Sequence, residues 1–123
     1  MAMLIQTVDN VVTNRFEITD AGLGLGRSGD NQVLIDDLAV SGHHARISVS
    51  SENDQAIFTI SDLGSTNGTF VNEKKIEQQV LHHGDAVRIG WAIFTFFDEN
   101  EKGLDKTSKI KKSWIPGVYY TKD

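Results

Sequence analysis

Three short stretches of this chain concentrate the residue types that bind or react with ligands. Gly24-Leu25-Gly26-Arg27-Ser28-Gly29 sets one arginine in a glycine-rich run. Ser41-Gly42-His43-His44 sets a hydroxyl three residues from an imidazole, and Gly64-Ser65-Thr66-Asn67-Gly68 gathers hydroxyls and an amide between two glycines. The first stretch matches G-x-G-x-x-G, but that fingerprint works only where its third glycine opens a helix facing a pyrophosphate. Here Asp30-Asn31 continues a turn and Gln32-Val33-Leu34-Ile35 begins a strand, so the match is accidental. The third stretch resembles a nucleophile elbow, with Thr66 where serine belongs and no helix after it. A hydrolase built on Ser41 and His44 would also need an orienting acid and an oxyanion hole, and nothing marks either. The expectation is a protein that is not an enzyme.

Metal chemistry fares no better. The four histidines form two pairs, His43-His44 and His82-His83. Neighbours on one strand point to opposite faces, so a metal site would need both pairs to converge together with carboxylates. No spacing announces that. The expected roles are a hydrogen-bonded structural one for His44 and exposure for the others, with no metal and no cofactor.

The elements that position these stretches read as strands. In His44 to Ser50, Ala45, Ile47 and Val49 alternate with Arg46 and Ser48, the period of a half-buried strand. Arg15 to Thr19 alternates likewise. Gln32 to Asp36, Ala56 to Ile60, Thr69 to Val71, Ala86 to Ile89 and Ile93 to Phe97 are further runs rich in β-branched and aromatic residues. Turn clusters separate them at Ser28–Asn31, Ser51–Asp54, Ser65–Gly68 and His83–Asp85. No segment of the body keeps a 3.6-residue period over three turns. The pattern predicts an all-β antiparallel sandwich or barrel, with function in the loops at one end.

Composition sets the outer limits. The chain has 123 residues, 39% of them hydrophobic, which suits one domain with a real core. There is no cysteine, which excludes a disulfide scaffold, a zinc finger and a thiol nucleophile and fits a reducing, cytoplasmic compartment. Apolar runs such as Trp91-Ala92-Ile93-Phe94 are far too short to span a bilayer, and the N-terminus lacks the features of a signal peptide. A net charge of -5 argues against nucleic acid, which needs a broad basic face. The charge is uneven: residues 1–97 hold six Lys/Arg and twelve Asp/Glu, whereas 98–123 hold six lysines and five acids. The alternation of apolar residues also stops at Asp98. A compact body over 1–97, with the motifs in 22–97, and a basic non-globular or loosely docked tail over 98–123 are expected. Trp114, Ile115, Val118, Tyr119 and Tyr120 in that tail could dock on the body or on a partner.

Four strings in order carry a further signal: Gly26-Arg27; then Ser41 to His44; then Asp62-Leu63-Gly64-Ser65-Thr66-Asn67-Gly68-Thr69-Phe70-Val71-Asn72; then Leu81 to Gly90 with Gly84-Asp85 inside it. Over roughly Gly22 to Phe97 the chain resembles the forkhead-associated (FHA) domain, whose pattern runs G-R, S-x-x-H, D-L-G-S-T-N-G-T-x-V-N and L-x-x-G-D-x-I-x-I-G. The resemblance implies an eleven-stranded β-sandwich whose end loops bind phosphothreonine in an extended peptide. It implies that Arg27, Ser41 and Thr66 contact the phosphate and that Asn67 holds the peptide backbone. His44 would brace the loops, with Gly26, Gly68 and Asn72 architectural. The residue types suit this: Arg27 offers a permanent charge in a planar fork, the hydroxyls and nearby N–H groups donate, and Asn67 both donates and accepts.

The pattern departs from the family's at two positions. Gly42 follows the motif serine where arginine or another polar residue is common, which removes a ligand contact; protonated His43 is an auxiliary that could replace it. Glu73 stands where glycine is usual and should alter only a turn. The partner implied is a phosphothreonine protein, the product of a Ser/Thr kinase. The alternatives are a scaffold with the same fold and an unused pocket, or self-binding through Thr107, Ser108, Ser113 or Thr121 of the tail. The sequence specifies no oligomeric state.

Overall fold

The computed structural model describes residues 1–104. Eleven strands, the number the resemblance implied, run in the order β1 (Ala2–Val8), β2 (Val11–Glu17), β3 (Leu23–Gly26), β4 (Val33–Leu34), β5 (Ala45–Glu52), β6 (Gln55–Asp62), β7 (Thr69–Val71), β8 (Lys74–Ile76), β9 (Gln78–Val80), β10 (Ala86–Ile89) and β11 (Ala92–Asp98). They form a six-stranded sheet in the order β2-β1-β11-β10-β7-β8 and a five-stranded sheet in the order β4-β3-β5-β6-β9. Pairing is antiparallel except for the short β3–β4 contact, which is parallel. Alternation places the inward residues against one another: Leu4, Phe94 and Phe96 from one sheet meet Leu25, Ile47 and Ile60 from the other, all fully buried. The rings of Phe58 and Phe96 lie 5.2 Å apart across that core.

Turn chemistry sets the register. Three two-residue hairpins have both central residues at positive φ: Asp9-Asn10, Asn53-Asp54 and Asn72-Glu73. Asn and Asp tolerate that conformation, whose twist matches the strands on either side. Glu73 is the unusual occupant, and it pairs with Arg88 at 3.2 Å. Strand β5 runs from His44 at one end of the sandwich to the Asn53-Asp54 turn at the other, about 26 Å over eight residues. The two ends are called proximal and distal below.

Four strands escape the alternation rule. In β1 both faces are apolar, because Leu4 enters the main core while Ile5 packs with Met3, Val12 and Phe97 on the outer face. Strand β3 alternates leucine with glycine, and β8 and β9 are three residues each. Conversely, the expected strand over Gln32 to Asp36 shrinks to two residues. The turn expected over Ser51–Asp54 narrows to Asn53-Asp54, because polar residues 51 and 52 sit on a solvent-facing hairpin arm.

Packed structure continues past Phe97. Asp98 is buried and its carboxylate accepts from Asn100 N at 3.0 Å, opening the short helix α1 (Glu99–Leu104). Glu101 of that helix accepts from His83 N at 2.8 Å and meets His82 Nδ1 at 2.8 Å. The expectation of a non-globular tail, and of its phosphorylatable residues 107, 108, 113 and 121, otherwise lies outside the described residues.

Candidate functional site

Three loops gather at the proximal end, and Ser41 joins them. Beyond β3, Arg27 N donates to Ser41 O and Ser28 N to Gly42 O, both at 3.0 Å. Arg27 Nε donates to Val40 O at 3.2 Å, which fixes the root of the guanidinium over the same segment. From the third loop, Thr66 N donates to Ser41 Oγ at 3.1 Å. Residues 25 positions apart in sequence thus share one hydroxyl. The approach is close: a Cβ on Gly26 would stand 2.2 Å from Gly42 O, so only glycine fits there. Asn31 Nδ2 completes the clamp, donating to Ser28 O and Gly42 O at 2.8 Å each.

Beneath the loops lies His44, fully buried. Ser41 N–H can only donate, so Nδ1, 3.0 Å away, must be the bare nitrogen, and the proton sits on Nε2, which donates to Gly68 O at 2.8 Å. A single imidazole in one tautomer therefore ties the second loop to the third. Gly68 holds φ +92° to aim that carbonyl, a conformation other residues resist.

Asp62 organises the third loop. Its carboxylate accepts from Ser65 Oγ at 2.5 Å, Thr69 Oγ1 at 2.7 Å, Ser65 N at 3.0 Å and Gly64 N at 3.1 Å, and Ser65 Oγ in turn accepts from Gly68 N at 2.9 Å. Burial pushes the Asp62 carboxyl up, but the hydrogen bonds from Ser65 and Thr69 together outweigh it and hold the group below the usual aspartate range. A carboxyl whose folded value is depressed stabilises the fold above its unfolded value, about 4, and loses that contribution as pH falls through the folded value. Asp62→Asn should accordingly lower stability at pH 7 by about 1–2 kcal/mol, with the gap to the parent narrowing below about pH 4. Urea midpoints across that range check it.

Neighbouring polar residues pin the second loop from outside. Asn67 is exposed and its Nδ2 donates to Ala39 O at 2.8 Å. Asp37 accepts from Ala39 N at 2.8 Å and Trp91 N at 2.9 Å, and those two N–H groups lower its pKa. His43 is exposed with its Nε2 2.9 Å from Asp30, and this hydrogen bond holds Asp30 below its ordinary value. The imidazole expected as an auxiliary cation thus already faces a carboxylate. Gly42 is exposed too, and a Cβ there would meet only Ser28 Cβ at 3.8 Å.

The structure thus brings Arg27, Ser41, Thr66 and Asn67 to one end, with Gly26, His44 and Gly68 beneath them. Asn72 lies at the far end of β7, where its side chain bonds Asp85 Oδ1 and Ala86 N, both at 3.0 Å. The two histidine pairs stand at opposite ends of the sandwich, and among the described residues no group of three or more His, Asp or Glu could hold a metal. Asn31, Asp37 and the hub role of Asp62 were not read from sequence. Asn31 stood in a turn cluster, where such side chains bond nearby backbone, whereas Asp37 and Asp62 lie outside the clusters and no turn signal marked them.

Comparison with known proteins places this geometry. The FHA domain family profile matches residues 23–90, more than half of the chain. The glycogen accumulation regulator GarA of Mycobacterium tuberculosis is 36% identical over 95 residues, covering 77% of this chain and 56% of GarA. The oxoglutarate dehydrogenase inhibitor of Corynebacterium efficiens is 34% identical over 76 residues, covering 62% of this chain and 51% of that protein. The chain thus spans about half the length of the curated relatives it matches. Among solved structures, Mycobacterium tuberculosis EmbR in complex with a low affinity phosphopeptide superposes with a TM-score of 0.67 at 31% identity, covering 78% of this chain and 24% of EmbR. With the motif loops, the two-sheet fold and the profile in agreement, the chain belongs to the FHA domain family.

Proposed function

We propose that this chain is a non-catalytic module that reads phosphothreonine in partner proteins after a Ser/Thr kinase has acted. The observation that carries the reading is the junction at Ser41, which bonds Arg27 through its carbonyl and Thr66 N through its hydroxyl. A phosphothreonine carries about -1.5 to -2 charges and three acceptor oxygens, so it needs a cation with several donors at one place. Arg27 supplies the forked charge, and Ser41 and Thr66 supply hydroxyls. Asn67, which gives one Nδ2 hydrogen to Ala39 O, meets the peptide through its carbonyl oxygen and its second Nδ2 hydrogen. His44, Gly26 and Gly68 hold the loops without touching ligand. Residues 1–97 form the reading unit. Its dependence on a kinase and its lack of cysteine support a cytoplasmic setting.

Matched peptides differing only in phosphothreonine, phosphoserine or unmodified threonine test this by titration calorimetry. The expected order is phosphothreonine first, phosphoserine weaker and unmodified peptide undetectable; equal weak binding of all three would defeat the reading. Gly42 supplies a second test. Because the space above it is open, Gly42→Arg is expected to tighten phosphopeptide binding by about 1 kcal/mol, about fivefold, with no loss of folding stability.

A further inference from the structure

We propose that the distal end of the sandwich is a docking groove for this chain's own residues 114–120. The groove encloses about 460 Å³ between β6, the loop before β10 and α1. Phe58 and Leu81 form its buried apolar floor, Val80 stands 39% exposed at its rim, and Asp54, Asp98 and Glu101 line it with negative charge. Its volume is that of a site for a bulky aromatic group.

The occupant follows from where the chain goes. Asn100 and Glu101 line the groove immediately before the described residues end, and Glu101 is anchored to His82 and His83 beside it. The sequence from Lys106 to Lys112 then carries four lysines and no acid, and Trp114-Ile115-Pro116-Gly117-Val118-Tyr119-Tyr120 follows. Cations complement the three acids, and an indole complements the apolar floor. Trp114 is ten residues beyond Leu104, a reach of up to about 33 Å, and Pro116-Gly117 favours a chain reversal.

Six residues of β11 separate Asp98 from Ala92, about 20 Å of strand between the distal and proximal ends. Thr107 and Ser108 follow Leu104 by three and four residues, about 10–14 Å at full extension, less than that span. In the distal groove the basic aromatic segment stands away from the Arg27 loops.

Tryptophan emission tests this on the full chain carrying Trp91→Phe, which removes the tryptophan that is 86% exposed and leaves Trp114 as the reporter. The folded protein should emit to the blue of the urea-unfolded chain and resist acrylamide quenching several-fold better. Adding Ala56→Lys and Val80→Lys, both at exposed groove positions, should move emission to the unfolded wavelength while far-UV dichroism stays unchanged. Independently, Trp114→Ala should shift the amide resonances of Val80 and Leu81 and leave those of Arg27 and Ser41 in place. Emission indifferent to the lysines, shifts at the proximal loops instead, or a blue shift that grows with protein concentration and so reports a second copy would each overturn the proposal. Phosphopeptide affinity should be unaltered by all these variants; its absence in the parent protein would count against the phosphothreonine reading alone.

Discussion

Arg27→Ala is expected to weaken phosphothreonine-peptide binding on the order of 100-fold while lowering the melting temperature by about 5 °C at most. The two halves of that result come from different environments of one residue. In the free protein Arg27 is exposed, and its side chain contributes one hydrogen bond to the fold, from Nε to Val40 O at 3.2 Å. Losing such a bond costs about 1 kcal/mol or less. With phosphate present, the guanidinium faces a dianion, where charge-assisted bonds are worth about 1.5–3 kcal/mol and each 1.4 kcal/mol is about tenfold in Kd. The body otherwise carries twelve acids, so no nearby excess of cations replaces it. Arg27→Lys should fall between the two, because an ammonium retains the charge and loses the fork. Calorimetric titration of all three proteins decides the matter, and an Arg27→Ala protein that binds within twofold of the parent would remove the basis of the proposed function.

The second large effect belongs to folding. His44→Ala should destabilise the domain by about 3 kcal/mol, which for about 100 ordered residues lowers the melting temperature by roughly 15 °C. The imidazole is fully buried, accepts from Ser41 N and donates to Gly68 O. Alanine leaves both groups without their partner and opens a cavity where the ring stood. His43→Ala is the control, one residue away. Its ring is exposed and bonds only an exposed carboxylate, so its removal should change stability by about 0.5 kcal/mol at most. Melting curves that fail to separate the two variants would mean that the loops do not depend on the His44 bridge.

Part of this was legible in the chain alone. Seven of the eleven strands follow from alternation and β-branched content, and the motif strings mark all three loops of the candidate site. Of the four missed strands β8 and β9 are too short to show a period, and β1 and β3 share another physical reason. Alternation reports one buried face, so it fails in β1, which buries Leu4 on one side and Ile5 on the other, and in β3, where glycine is kept small by the approach of Gly42. How the tail begins was hidden from composition for a related reason. Asp98 to Glu101 is polar, yet Asp98 caps a helix and Glu101 bonds the histidine loop, which composition cannot show.

His43 and His44 show where the division falls. By itself the sequence determined the fold class, the single domain-sized core, the lack of any apolar run long enough for a membrane-crossing helix, and the four strings that carry the resemblance, because periodicity, charge and local motif are written along the chain. It could not decide which hydroxyl or imidazole meets which loop. Only the tertiary structure settled that, by bringing residues 27, 41 and 66 together through closure of two sheets, burying His44 under them while leaving His43 against Asp30, and sending Asn72 to the other end of β7. Those contacts are long-range, and the net charge of -5 that argued against nucleic acid over the whole surface does not govern one cluster of loops where Arg27 stands beside Ser41 and Thr66.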